Sequence, residues 1–174
     1  MDIFVEQIVA KKKETKEKIF IIGVALLLLV LMVVSFFALG GIGLFSVALL
    51  LWVALAYGAW WLITSQNLEF EYSITNGDID IDRIVARRKR ARIVSVRGQK
   101  IEQAGKYDAA QMQNRPFDRV VMAASSLNAQ GLYYFTYHSK KSGSTIVVFE
   151  PDERVKEAFY KSLPKLVQLD WDKQ

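Results

Sequence analysis

The chain has 174 residues, 52% of them hydrophobic, with one histidine, no cysteine and a formal net charge of +5. The absence of cysteine excludes disulfide staples, thiolate metal sites and cysteine nucleophiles, and the length allows either one compact domain with a membrane segment or a larger soluble domain. Distribution separates these: from Ile19 to Leu68 there is no Asp, Glu, Lys, Arg or His, an apolar block that the remaining residues are too few to bury.

At the N-terminus, Phe4/Ile8 and Val5/Val9 are spaced by four, and with Ile3 they suit a short amphipathic helix. It is open to lie in the membrane interface, to pack on a soluble domain or to continue into the first span. Lys11, Lys12, Lys13, Lys16 and Lys18 follow, within a basic cytoplasmic segment over 1–18. Two apolar runs come next, 19–39 and 42–63, each of the ~20 residues that a helix needs to cross ~30 Å of hydrocarbon. Gly40-Gly41-Ile42-Gly43 permits reversal between them, so 19–66 is expected to be a transmembrane hairpin. A cleaved signal peptide is disfavoured, because the first run has full spanning length and a second follows at once.

Lysines before the first run and arginines after the second put both termini in the cytoplasm of a multi-pass protein of the inner (cytoplasmic) membrane. Trp60 and Trp61, beside Thr64-Ser65-Gln66, suit the headgroup interface. Ala54 and Gly58 permit close helix approach or homo-oligomerisation, although such residues are common in membrane helices. Neither span carries an ionisable group, so a proton relay or ion pathway has nothing to work with.

From Leu68 the period becomes two. Leu68, Phe70, Tyr72 and Ile74 alternate with Glu69, Glu71, Ser73 and Thr75, Asn76-Gly77 signals a tight hairpin, and Ile79 and Ile81 alternate with Asp78, Asp80 and Asp82. A third strand is expected over 91–97, then a polar loop over 98–119 with a short helix at 107–113, then strands over 120–124, 132–138 and 145–149. Pro151 and Asp152 open a final helix whose stripe is Val155, Ala158, Phe159 and Leu163, with Pro164 ending it. The expected order is six strands in antiparallel meanders and one capping helix over 67–168, with a tail at 169–174.

The run Tyr72-Ser-Ile-Thr-Asn-Gly-Asp-Ile-Asp-Ile, the basic turn from Arg87 to Arg92 and Ile146-Val-Val-Phe-Glu-Pro before a helix resemble the bacterial pleckstrin-homology-like (PH-like) domains that follow membrane spans. The whole chain, opening Met1-Asp-Ile-Phe-Val-Glu-Gln-Ile-Val, is similar to an uncharacterised family of small two-span bacterial membrane proteins with such a domain at the C-terminus. The resemblance implies a membrane α-helical hairpin plus a mainly antiparallel α+β cytoplasmic domain, a partly open PH-like barrel capped by a C-terminal helix. The polar stretch 98–118 is longer than that domain requires.

Chemistry is sparsely supplied. His138 ends an aromatic strand with no motif providing an orienting acid or a nucleophile. Asp78, Asp80 and Asp82 lack the Gly and Glu that complete a calcium loop, Arg83 and Lys89 standing in those places. These observations lead to the expectation of no enzyme, no cofactor and no metal. The feature that remains is the basic ribbon Arg83, Arg87, Arg88, Lys89, Arg90 and Arg92, close along the chain to the lipid bilayer. Each such residue contributes ~1 kcal/mol of attraction to anionic lipid headgroups. The expectation is therefore an interaction module that binds anionic lipid or a membrane protein partner. A structural accessory subunit of a larger membrane complex is the alternative. Nucleic acid is disfavoured, because aromatic residues do not interleave with the arginines.

Overall fold

The computed structural model describes residues 4–112 and 116–171, apart from the side chains of residues 110 and 111. It divides into two units, one of Lys12–Asn67 and one that joins the residues up to Lys11 with those from Leu68 onward.

The first unit is a helical hairpin. Helix α1 spans Thr15–Gly40 and α2 spans Phe45–Thr64, both long and apolar enough to cross a membrane. The Glu14 amide donates to the Glu17 carboxylate at 3.0 Å, occupying an otherwise orphan donor at the start of α1. The reversal closes through the Gly43 amide, which donates to the Gly40 carbonyl at 3.1 Å, and Gly43 takes φ +77°, where a side chain would be strained. Side chains withdrawn from the surface of α1, among them Ile21, Val24, Leu28, Ser35 and Leu39, recur at three and four residues, the spacing of one helix seam. Their counterparts on α2 are Ala48, Trp52, Leu55 and Ala59. Across this seam the Trp52 indole donates to the Ser35 hydroxyl at 2.8 Å, and that hydroxyl donates to the Met32 carbonyl at 3.0 Å. Leu26, Leu27, Val30, Leu50 and Val53 point outward and are more than half exposed.

The second unit begins with a difference from expectation. Residues 4–10 are not a helix but strand β1 (Phe4–Ala10), antiparallel to β2 (Leu68–Thr75), with Phe4 opposite Thr75 and Ala10 opposite Glu69. A spacing of four fits period two as well as period 3.6, and β-branched Val5, Ile8 and Val9 favour the strand. Ile3 lies outside the described residues. The sheet continues through β3 (Asp78–Val85) and β4 (Lys89–Arg97) in the order β1-β2-β3-β4. Asn76 and Gly77 close the β2–β3 turn with φ of 50° and 89°, the geometry that their identity signals.

A second four-stranded sheet has the order β5-β7-β8-β6, from β5 (Ile101–Lys106), β6 (Arg119–Ala123), β7 (Tyr133–Ser139) and β8 (Gly143–Phe149). Three expectations are corrected here. The described residues hold eight strands instead of six, β6 runs parallel to β8 instead of in a meander, and the stretch read as loop contains β5. That strand hid because, of its residues, only Ile101 is large and apolar, and a register shift between Ile101 and Gln103 breaks the alternation. The short helix α3 covers Ala109–Met112; Gln113, at the end of the expected helix, lies outside the described residues. Tyr107, Met112 and Phe117 pack over Leu132, Tyr134, Ile146 and Val148, so the long polar stretch supplies an edge strand and a strap over one sheet face.

The main core joins both sheets through Tyr72, Ile74, Ile81, Phe135, Phe149 and Phe159. The buried Tyr72 hydroxyl donates to the Ala123 carbonyl and accepts from the Glu150 amide at 3.2 Å, stitching β2 to the ends of β6 and β8. Helix α4 (Glu153–Ser162) is capped by the Asp152 carboxylate, which accepts from the Val155 amide at 2.8 Å. A Cβ on Gly98 would clash with the Ser162 carbonyl oxygen, so glycine there lets the end of α4 approach. As expected, Pro164 stands just past the end of α4. Helix α5 (Lys165–Trp171) follows it, and Trp171 stacks on Tyr133 with ring centres 4.9 Å apart, so part of the expected tail is structured; residues 172–174 lie outside the described residues.

β1 is fastened by Gln7. Its side-chain amide donates to the Glu150 carbonyl at 3.1 Å and accepts from the Asp152 amide at 2.8 Å. Gln7→Leu leaves both backbone groups without their partner, a cost of about 1–3 kcal/mol. Denaturant titration of the full chain in detergent should show that loss together with faster hydrogen exchange of the β1 amides; unchanged exchange would contradict the clamp. In the hairpin, Trp52→Phe and Ser35→Ala should each cost no more than about 2 kcal/mol, and the pair together no more than either alone. Additive losses in micellar unfolding would show that the two side chains act separately.

Candidate functional site

The outer face of the first sheet carries the charge that the sequence singled out. Its register sets Glu71 opposite Asp82 and Asp82 opposite Arg92, and Ser73 opposite Asp80. Carboxylates so close repel unless a cation intervenes. Arg92 lies between Asp80 and Asp82, at 2.9 and 3.0 Å. Arg90 reaches across β3 to Glu71, and Arg97 stands 3.7 Å from Asp78. The three aspartates of β3 are thus occupied by arginines of β4.

The ribbon of candidate residues is therefore divided. Arg90 and Arg92 belong to the ionic ladder. Arg83 lies opposite Phe70 and Ala91, in a register row of the other face, and is exposed. Ala86, Arg87 and Arg88 form the β3–β4 turn and Lys89 opens β4 beside it; the turn is closed by the Arg88 amide donating to the Val85 carbonyl at 3.0 Å. Ala86 and Arg87 take φ of 54° and 56°, a left-handed conformation that costs non-glycine residues roughly 1–2 kcal/mol each. The Arg87 side chain is 82% exposed while its Nε donates to Glu69 at 3.0 Å.

This turn borders a cleft of about 620 Å³ floored by Ile8, Ala10 and Ile84 and walled by Arg87, Lys89 and Arg90 with Glu69. The register row Ala10, Glu69, Ile84 and Arg90 puts it at the end of the sheet where the chain leaves β1 and re-enters β2. At that point the Lys11 amide donates to the Leu68 carbonyl at 2.8 Å. Lys12, Lys13, Lys16 and Lys18 are exposed in the segment leading into and beginning α1, and Trp60 and Trp61 are exposed on the last turns of α2. His138 is exposed near the end of β7, opposite Ser144.

The Glu71 carboxyl is pushed above the usual carboxylate range, first by burial and then by Glu6 and Asp82, with Arg90 opposing the shift. Folding thus tightens the hold of Glu71 on its proton, and its ionisation costs stability as pH rises from the ordinary value of 4.5 through the raised one. Glu71→Gln should flatten the dependence of unfolding free energy on pH above the ordinary carboxyl value of 4.5, and leave neutral-pH stability unchanged or higher. The Arg90 side chain is 56% exposed, so water can solvate it when its partner is neutral. A loss above about 1 kcal/mol at neutral pH would show instead that the ion pair outweighs the crowding.

The sequence alone missed the counterions Glu69 and Glu71 and the clamp residue Gln7. For the glutamates a signal exists. A two-residue Asn76-Gly77 loop pairs Thr75 with Asp78 and so puts Glu71 on the same sheet face as Asp82. Gln7 bonds to backbone far away in the chain, and no local pattern announces that.

No curated protein and no solved structure matches the chain. Residues 1–169 match a family model described as "Bacterial PH-like domain (DUF6106)", a match that runs through β1 and the hairpin as well as through both sheets and α4. The chain belongs to this family of bacterial PH-like domains.

Proposed function

We propose that the chain is a membrane-anchored, non-catalytic PH-like interaction module. Its hairpin crosses the inner membrane with both ends in the cytoplasm, and its β3–β4 turn meets anionic lipid at the inner leaflet or a protein partner held there. The observation that carries this reading is the insertion of the hairpin between two hydrogen-bonded neighbours, β1 and β2. Strands paired in one sheet lie on one side of a membrane, so the apolar block must leave and return on that side. Lys11 and Leu68, joined by a hydrogen bond, fix the tether at the sheet end that carries Arg87, Arg88 and Lys89. An outward surface as apolar as that of α1 and α2 is stable in hydrocarbon and a liability in water.

The ionic ladder narrows the lipid-facing charge. Arg90 and Arg92 serve carboxylates on the sheet face, whereas Arg87, 82% exposed although it meets Glu69, stands with Arg88 and Lys89 at the sheet end, and these three carry the interaction. With ~1 kcal/mol for each base at an anionic surface, removing the turn's cationic side chains weakens it by roughly a hundredfold.

The cysteine-free chain gives a direct test. A probe on Ala86→Cys, in the full chain reconstituted into bilayers, should be quenched by headgroup-linked quenchers more strongly when anionic lipid is included. Salt should diminish this increment, and Arg87→Ser/Arg88→Ser/Lys89→Ser should abolish it. Quenching that ignores lipid charge would exclude the lipid contact, and labelling of the same cysteine by an impermeant reagent in intact cells would overturn the orientation.

A further inference from the structure

A second cleft, of about 730 Å³, lies where the chain passes from the first sheet to the second, bordered by the ends of β4 and β7 and by the start of β5. Arg97, Lys100, His138 and Lys140 line it together with Asp78 and Glu102. Lys100 and Lys140 make no ion pair among the described residues, and Arg97 holds Asp78 only at 3.7 Å, with both side chains largely exposed. Ser95 and Ser139 add hydroxyls to the lining.

We propose that this cleft binds a soluble, phosphate-bearing small molecule. Two ammonium groups and a loosely held guanidinium offer more N–H donors than a single carboxylate can accept, and the three terminal oxygens of a phosphoryl group can take them while its charge offsets theirs. Asp78 and Glu102, as acceptors, suit hydroxyl groups on the same molecule. The volume lies within the range of pockets for small ligands. Position favours a soluble source over a lipid headgroup. The cleft is at the Asp78–Arg97 end of the sheet, roughly 20 Å along the strands from Lys11 and Leu68. This proposal stands apart from the membrane contact of the β3–β4 turn and survives its failure.

His138 is the only histidine, so its ring proton is a single-site reporter in the full chain held in nanodiscs. At constant ionic strength, inorganic phosphate should move that resonance saturably in the millimolar range, ribose 5-phosphate should act at lower concentration, and chloride should leave it still. Lys100→Ser/Lys140→Ser should weaken the response at least about tenfold, while Arg87→Ser/Arg88→Ser should not change it. A response that is linear, equal with chloride or intact in the Lys100/Lys140 variant overturns the site. Movement when anionic lipid replaces zwitterionic lipid, without added phosphate, assigns the cleft to the bilayer and overturns the soluble ligand.

Discussion

The pairing of β1 with β2 across an insertion of more than fifty residues is the constraint from which the rest of the molecule follows. Closing so long a loop costs entropy that grows only slowly with length, and here the insertion is itself an ordered hairpin whose two ends already lie close together. The strands then close the sheet with backbone hydrogen bonds and with the double bond of Gln7 to the Glu150–Asp152 backbone. Because β1 comes before the hairpin and β2 after it, the first sheet cannot be completed until both helices have been made. A fragment that begins at residue 67 lacks β1, exposes the edge of β2 and leaves the Glu150 carbonyl and Asp152 amide without Gln7.

The same sheet explains why a row of arginines is a poor guide to a binding surface when read alone. Folding brings Glu71, Asp80 and Asp82 together on one face, and their repulsion is relieved by Arg90 and Arg92 from β4. These arginines are required by the fold before any ligand is considered. Around the turn, where the strands end, Arg87 is largely exposed although it meets Glu69, and its left-handed backbone, shared with Ala86, is a strain that the hairpin tolerates. The chemical distinction between neighbouring bases comes from which carboxylates the register puts within reach.

Much of this was legible in the residues. The apolar block, the glycine reversal, the Asn76-Gly77 hairpin and the Asp152 cap each rest on local chemistry, and each stands in the structure where its residues set it. What stayed hidden depends on distant partners. The segment 4–10 has apolar residues at a spacing common to helix and strand, and only β2, far along the chain, decides between them. β5 is polar because it is a short edge strand with a bulge, and β6 pairs in parallel with a strand not yet made when it is read. The charged ribbon was visible, but its division into ladder and turn needed the counterions on β2.

The first sheet therefore has two chemically different ends. At one, the chain departs to and returns from the hairpin, and a basic turn stands beside an apolar floor of Ile8, Ala10 and Ile84. At the other, Arg97, Lys100 and Lys140 border a polar cleft between the sheets. The main core between them, built on Tyr72, Phe135, Phe149 and Phe159, is fully buried and cross-linked by the Tyr72 hydroxyl. Close-packed interiors of this kind transmit displacement instead of absorbing it. Strands β3 and β4 run from one end to the other, so the Asp78–Arg97 pair and the basic turn are opposite ends of the same two strands.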